Sequence, residues 1–220
     1  EIITLFTVIM ATPLIAVWFG IENLGLIEAL LPIHILWVNL VTDSLPALAL
    51  SVEPAEKNIM KRKARKMGNQ VFTKGMTWRI AYQGLMIAAL TLIAFIIGLN
   101  TTEGLEEEIR VGVAQTMAFA VLAISQIVHS FNLKSNTQSI FKTGILNNKY
   151  LIGAGAISIL LMLVVLNVPV IMDVFNIQPL TQYQVLIVTG LSLMPLVVVE
   201  LFKLLKINSF SIKKQCVNKK

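Results

Sequence analysis

Five stretches of this chain run for about twenty residues or more without an Asp, Glu, Lys or Arg: Ile2 to Ile21, Ile80 to Thr102, Val111 to Leu133, Tyr150 to Met172 and Val174 to Val199. A sixth, Ala29 to Val52, is broken only by Asp43. A hydrocarbon core of about 30 Å is crossed by roughly 20 residues of helix, so each stretch is long enough to span a bilayer. A spanning segment must satisfy its own backbone polar groups, as a helix does, or close into a barrel. Barrel strands alternate apolar and polar residues, and these stretches do not. The expectation is an all-α polytopic membrane bundle of six transmembrane helices, at about 2–20, 32–51, 77–99, 111–132, 149–172 and 182–203. A composition that is 56% hydrophobic and 14% charged, with a mean hydropathy of +0.78, goes well beyond what the core of a soluble domain needs.

The charges between the stretches are sorted by side. Lys57 to Arg79 contain eight Lys and Arg, Lys134 to Lys149 three and Lys203 to Lys220 six, whereas the opposite side has only Arg110 and the acidic run Glu103 to Glu108. The positive-inside rule makes the basic side cytoplasmic and places the C-terminus there. The same bias accounts for "KRKARK" as a topology signal that meets anionic lipid head groups, so no nucleic-acid partner is expected. The lone Cys216 has no second cysteine to pair with and reads as a free thiol. The first apolar run has neither a basic flank nor a small-residue cleavage site, so it is not a signal peptide, and the chain reads as part of something longer.

Asp43 is the residue that a membrane segment needs a reason to hold. A carboxylate at mid-bilayer costs at least about 2.5 kcal/mol and normally faces a bundle interior with a partner. Asn39, Thr42 and Asp43 stand at i, i+3 and i+4, a spacing that puts them on one face of an α-helix. Pro46 removes a backbone donor and is expected to kink or unwind the helix there, freeing carbonyls near Thr42 and Asp43. Broken helices at membrane depth line sites and cavities, and an all-oxygen donor set suits a hard cation such as calcium. Gln115, Ser125 and Gln126 read first as packing groups. His129 reads as interfacial, His34 as a lone histidine near the outer end of its helix, and Glu200 with Lys203 as a surface or interfacial pair. The run Glu103 to Glu108 reads as a solvated acidic loop.

The run "LLPIHILWVNLVTDSLPALALSVEPAEKNIMKRKAR", Leu30 to Arg65, closely resembles the sixth transmembrane helix and following cytoplasmic loop of type II P-type cation ATPases, the calcium pumps above all. The pattern Asn-x-x-Thr-Asp-x-x-Pro followed by "IMKRKAR" carries the resemblance, and the remaining helices fit the fifth and the seventh to tenth of such a pump. The resemblance implies that Asn39, Thr42 and Asp43 are calcium ligands, and that Glu1 in "EIITLF" is the acidic ligand of the preceding helix. Gln126, judged by its distance from "SNTQSI", falls where two-site pumps carry Glu, which implies one calcium per cycle. It further implies that 53–75 is a cytoplasmic coupling loop, and that ATP and magnesium are bound by domains outside this chain. The partners implied are the lipid bilayer and the rest of the same pump, its phosphorylation domain and first four helices. The location implied is the plasma membrane of a bacterium. A sodium or potassium pump, or a secondary transporter coupled through Asp43, is the alternative.

Overall fold

The structure is a computed structural model that describes residues 1–21, 28–53, 74–134 and 148–205. Its elements are α1 (Ile2–Trp18), α2 (Pro32–Trp37), a π-helical segment (Val38–Asp43), α3 (Ser44–Ser51), α4 (Lys74–Thr101), α5 (Glu107–Asn132), α6 (Lys149–Asn167), α7 (Pro169–Phe175) and α8 (Gln182–Leu204). No strand occurs among the described residues. The first α2 turn, the π-helical segment and α3 form one continuous 20-residue rod, Pro32–Ser51. This rod and α4, α5, α6 and α8 are long and apolar enough to cross a membrane; α1 is a shorter apolar helix of 17 residues.

Helix α5 is the hub. It packs against α4, α6, α8 and the π-helical segment, and nearly all its side chains from Val111 to Ala123 are fully buried. Small residues permit the closest approach: a Cβ on Gly98 of α4 would come within 2.5 Å of the Ala114 Cα of α5. Packing of this kind holds membrane helices together where lipid removes the hydrophobic drive between them. The surface of the bundle is apolar instead of polar, with Phe6, Leu40, Leu48, Leu160 and Leu186 all exposed. Such a surface suits lipid contact, and the chain is an integral membrane protein.

One helix differs from the sequence reading. The helix expected over 149–172 ends at Asn167, and a separate short helix begins at Pro169. Val168 between them is extended (φ −89°, ψ 114°). The proline ring clashes with an α-helical preceding residue, and its fixed φ makes it a favourable first helical residue, so Pro169 ends one helix and starts the next. The expected coupling loop, 53–75, lies outside the described residues apart from its two ends, and so does Cys216.

The bundle has a basic end, with Glu53, Lys134, Asn148 and Lys203, and an acidic end, with Glu28, the run Glu103 to Glu108 and Asp173. At the basic end Asn148 caps α6 by accepting from the Leu151 N–H (3.0 Å) and donates to the Ala49 carbonyl (3.0 Å) and the Glu53 carboxylate (2.6 Å). Lys134 lies 3.6 Å from the same carboxylate, so Glu53 ties the end of α3 to α5 and α6.

Candidate cation site

The helix carrying Asp43 opens in the turn before Pro46, around Thr42 and Asp43, where the proline was expected to loosen it. The turn Val38–Asp43 is π-helical, one turn ahead of the proline. Three side chains bond backbone carbonyls around it: Asn39 Nδ2 donates to Ile35 O (2.8 Å), Thr42 Oγ1 to Val38 O (2.7 Å) and Ser44 Oγ to Asn39 O (2.8 Å). Pro46 has no N–H to offer Thr42. Side chains that bond nearby carbonyls compete with the i→i+4 ladder, and wide turns of this type recur at functional sites. Ser158 of α6, fully buried, donates to the Val41 carbonyl (3.3 Å) and holds the widened turn from the other side.

The wider turn also redistributes the three polar side chains expected to share one face. His34, Val38, Thr42 and Pro46 form a buried stripe at four-residue spacing, which turns Thr42 towards α5. Asn39 is exposed and Asp43 half-buried. The Glu1 and Asp43 side chains are near enough to act on each other electrostatically, so two acidic groups from separate helices meet beside the π-helical turn. Glu1 is placed by α1, whose Thr4 donates to the Gly84 carbonyl of α4 (3.0 Å). A Cβ at Gly84 would stand 3.2 Å from the Ile3 Cβ, so the glycine is what lets α1 lie this close to α4.

Gln126 is half-buried on α5, the helix that packs on the π-helical turn, and its Nε2 is buried without a hydrogen-bond partner. Ser125 Oγ, His129 Nδ1 and Asn132 Oδ1 on the same helix are likewise buried and unpartnered. Among the described residues no three His, Cys, Asp or Glu side chains cluster as a metal site would require. The acidic pair Glu1 and Asp43 is the acidic feature that lies beside the π-helical turn.

His129, in the last turn of α5 at the basic end, is buried between helices (8% exposed). One sequence expectation is corrected. Glu200 and Lys203 do pair, at 3.0 Å, but inside the bundle, with Lys203 also donating to the Asn132 carbonyl (3.1 Å) at the end of α5. That carbonyl is one of the four a helix leaves without an internal partner, which draws the ammonium inward. Ser158, Asn148 and Glu53 went unremarked in the sequence; a lone Ser inside "GAISILLML" is the signal that could have marked the first of them.

A family model described as "Cation transporting ATPase, C-terminus" matches residues 27–205. The chain belongs to that family. Among similar proteins are a "Calcium-transporting ATPase 1" of Bacillus cereus, 42% identical over 219 residues, covering 94% of this chain and 23% of that protein. A "Calcium-transporting ATPase" of Bacillus subtilis is 38% identical over 194 residues, 88% of this chain and 20% of its own length. "Calcium-transporting ATPase type 2C member 1" of Pongo abelii is 27% identical over 170 residues, 77% of this chain and 18% of its own length. The chain thus spans about a fifth of the length of the relatives it matches. The matched region of this cation-ATPase chain, 27–205, includes the π-helical turn, Asp43 and Gln126, whereas Glu1 precedes it.

Proposed function

We propose that this chain is the ion-carrying membrane region of an ATP-driven calcium pump, in which Asn39, Thr42, Asp43, Glu1 and Gln126 contribute ligands to the transported ion. The observation that carries the reading is the meeting of Glu1 and Asp43 beside an opened helical turn. Two carboxyls held together in a low-dielectric setting repel unless a proton or a cation lies between them, and an oxygen-only donor set selects a hard cation. Calcium is favoured over sodium or potassium by the names of the relatives. Gln126 stands as a neutral amide on the helix facing the site, which favours one calcium per cycle, since a second divalent ion needs further negative charge nearby. The exposed side of Asn39 and Asp43 is where the other helices of the complete pump would close the coordination sphere.

ATP and magnesium would be bound by domains outside this chain, and the 53–75 loop would couple those domains to the site. The excess of Lys and Arg at one end of the bundle orients that end, with the C-terminus, to the cytoplasm. The bacterial relatives favour a bacterial plasma membrane as the location.

The test is phosphorylation of the full-length protein by ATP, titrated with calcium, manganese, sodium and potassium. Calcium is expected to activate, and Asp43→Asn to abolish the activation. Wild-type ion dependence in Asp43→Asn would falsify the site.

A further inference from the structure

His34 is fully buried on the acidic-end turn of the helix that carries Asp43, and each part of its ring is engaged. Nδ1 accepts from the backbone N–H of Leu31 (3.3 Å), the residue that caps the start of α2. With Nδ1 an acceptor, the ring proton sits on Nε2 and is donated to the Phe175 carbonyl at 2.8 Å. That carbonyl ends α7, where the chain turns into a left-handed residue, Asn176 (φ 53°), so it has no helical partner of its own. The ring face stacks on Phe119 of α5 at 4.3 Å and 15°. Phe175 in turn meets Trp37 edge-on at 5.2 Å, and Phe119 lies 6.3 Å from Phe175.

His34 therefore fixes its helix in two ways. The bond to Leu31 sets where the helix begins, and the bond to Phe175 with the stack on Phe119 sets its rotation about its own axis. Rotation matters because Val38 and Thr42 follow His34 on the buried stripe, while Asn39 and Asp43 lie just off it. A turn of a few tens of degrees would carry the Asp43 carboxyl away from Glu1. The partners of His34 are independent of the ion: α5 is the buried hub, and the segment after α7 is tied to it by the Gln178 N–H donating to Thr116 Oγ1 (2.9 Å). The exposed Asn39 bonds within its own helix, to Ile35 and from Ser44.

We propose that His34 is a positioning residue of the cation site, locking the rotation of the ion-binding helix against α5 and α7 so that adjustment to the ion is confined to the turn from Val38 onward. This rests on the functional reading above and adds to it a residue about one and a half turns from the nearest ligand.

The fold itself supplies a guide to the right variant. At the start of α8, Gln184 Oε1 accepts from the N–H of its capping residue Thr181 (2.9 Å) while Nε2 donates to Thr101 Oγ1 (3.0 Å). Gln at position 34 can make the same pair of bonds, to Leu31 and to the Phe175 carbonyl. Phe at position 34 keeps the stack and loses both.

The experiment measures the calcium concentration for half-maximal phosphorylation by ATP in the full-length pump. His34→Phe is expected to raise it about tenfold with the maximal phosphoenzyme level unchanged, and His34→Gln to stay within about twofold of the unaltered protein. Equal affinity in both variants overturns the proposal. So does a loss of thermal stability in His34→Phe with affinity unchanged, since that is what a purely structural residue gives. If His34→Phe does not fold, hydrogen exchange on the unaltered pump decides. Calcium is expected to change protection in residues 39–44 and leave residues 33–37 as they were, and an equal change in both sets overturns the lock. The functional reading is scored apart from this, by the calcium response of the unaltered pump and its loss in Asp43→Asn. If another cation activates instead, the His34 variants are compared against that cation.

Discussion

The two halves of α5 differ in how completely they pair their buried polar groups. In the half at the acidic end, Gln115 Nε2 donates to the Glu28 carbonyl (2.6 Å), and Thr116 both donates to Gly112 O (2.8 Å) and accepts from the Gln178 N–H (2.9 Å). In the half at the basic end, Ser130 Oγ donates to the Ile127 carbonyl (2.7 Å) and Asn132 Nδ2 to the Pro195 carbonyl (3.1 Å), but Ser125 Oγ, Gln126 Nε2, His129 Nδ1 and Asn132 Oδ1 are buried without partners. Buried polar atoms are paired in the great majority of cases, because leaving one unpaired costs about 1 to 3 kcal/mol. The first half therefore uses its polar groups to fasten loops, whereas the second leaves four buried polar atoms unpaired on the helix that packs against the π-helical turn. Under the proposed function, the atoms left unpaired are free to face the transported ion.

The largest effect is expected where the acidic-end half is forced apart. Gly98 faces Ala114 across the α4 and α5 crossing, where an added Cβ would stand 2.5 Å from backbone. Backbone cannot step aside as a flexible side chain can, so Gly98→Ala should cost about 3 kcal/mol, at the upper end for overpacking. Thermal unfolding in detergent should show a large fall in midpoint. Calcium half-saturation in the molecules that stay folded should not move, since the crossing lies at the end away from Gln126. A shifted affinity would mean that the two halves are not separable.

A milder cut in the same half tests the fastening itself. Thr116→Val keeps the shape and leaves the Gln178 N–H without its acceptor, which should cost about 2 kcal/mol in stability, again read by thermal unfolding. No change there would show that the loop after α7 is held by something other than Thr116.

Much of this was legible in the sequence, and the limits have physical causes. Apolar run length gave the spanning helices, because the bilayer sets a minimum that few other structures need. Asp43 stood out because a carboxylate in such a run demands a partner. Pro46 announced the disturbance around Thr42 and Asp43, but not its π-helical form nor the bonds from Ser44 and from Ser158 of another helix to its carbonyls. The break at Val168 was readable from Pro169 and was masked by the apolar residues around it. Contacts such as His34 with Phe175, 141 positions apart, or Asn148 with Glu53, 95 apart, are products of packing that no local pattern encodes. The burial of Glu200 and Lys203 belongs to the same class, since it follows from α8 meeting the end of α5.

In the basic-end half, Gln126→Glu sharpens the comparison by adding the charge that the amide withholds. If Gln126 faces the ion, a carboxylate there should lower the calcium half-saturation about tenfold, equivalent to about 1.4 kcal/mol, or raise the number of calcium ions bound per phosphoenzyme from one towards two. Direct radiocalcium binding on the purified pump separates the two results. Unchanged affinity and unchanged stoichiometry together would remove Gln126 from the site.

The smallest effect is the most direct reading of the difference between the halves. Ser125 is fully buried and its hydroxyl has no partner, so in the folded protein it contributes an unpaired polar atom and little else. Ser125→Ala removes that atom at almost no cost in volume, and stability should be unchanged or rise by up to about 1 kcal/mol. Thr116→Val, a comparable loss of one hydroxyl on the same helix, falls by about 2 kcal/mol under the same conditions because its hydroxyl is doubly bonded. The sign of the difference between these two variants carries the argument. If Ser125→Ala destabilises as much as Thr116→Val, the Ser125 hydroxyl is structural, and the basic-end half of α5 pairs its polar groups as fully as the other.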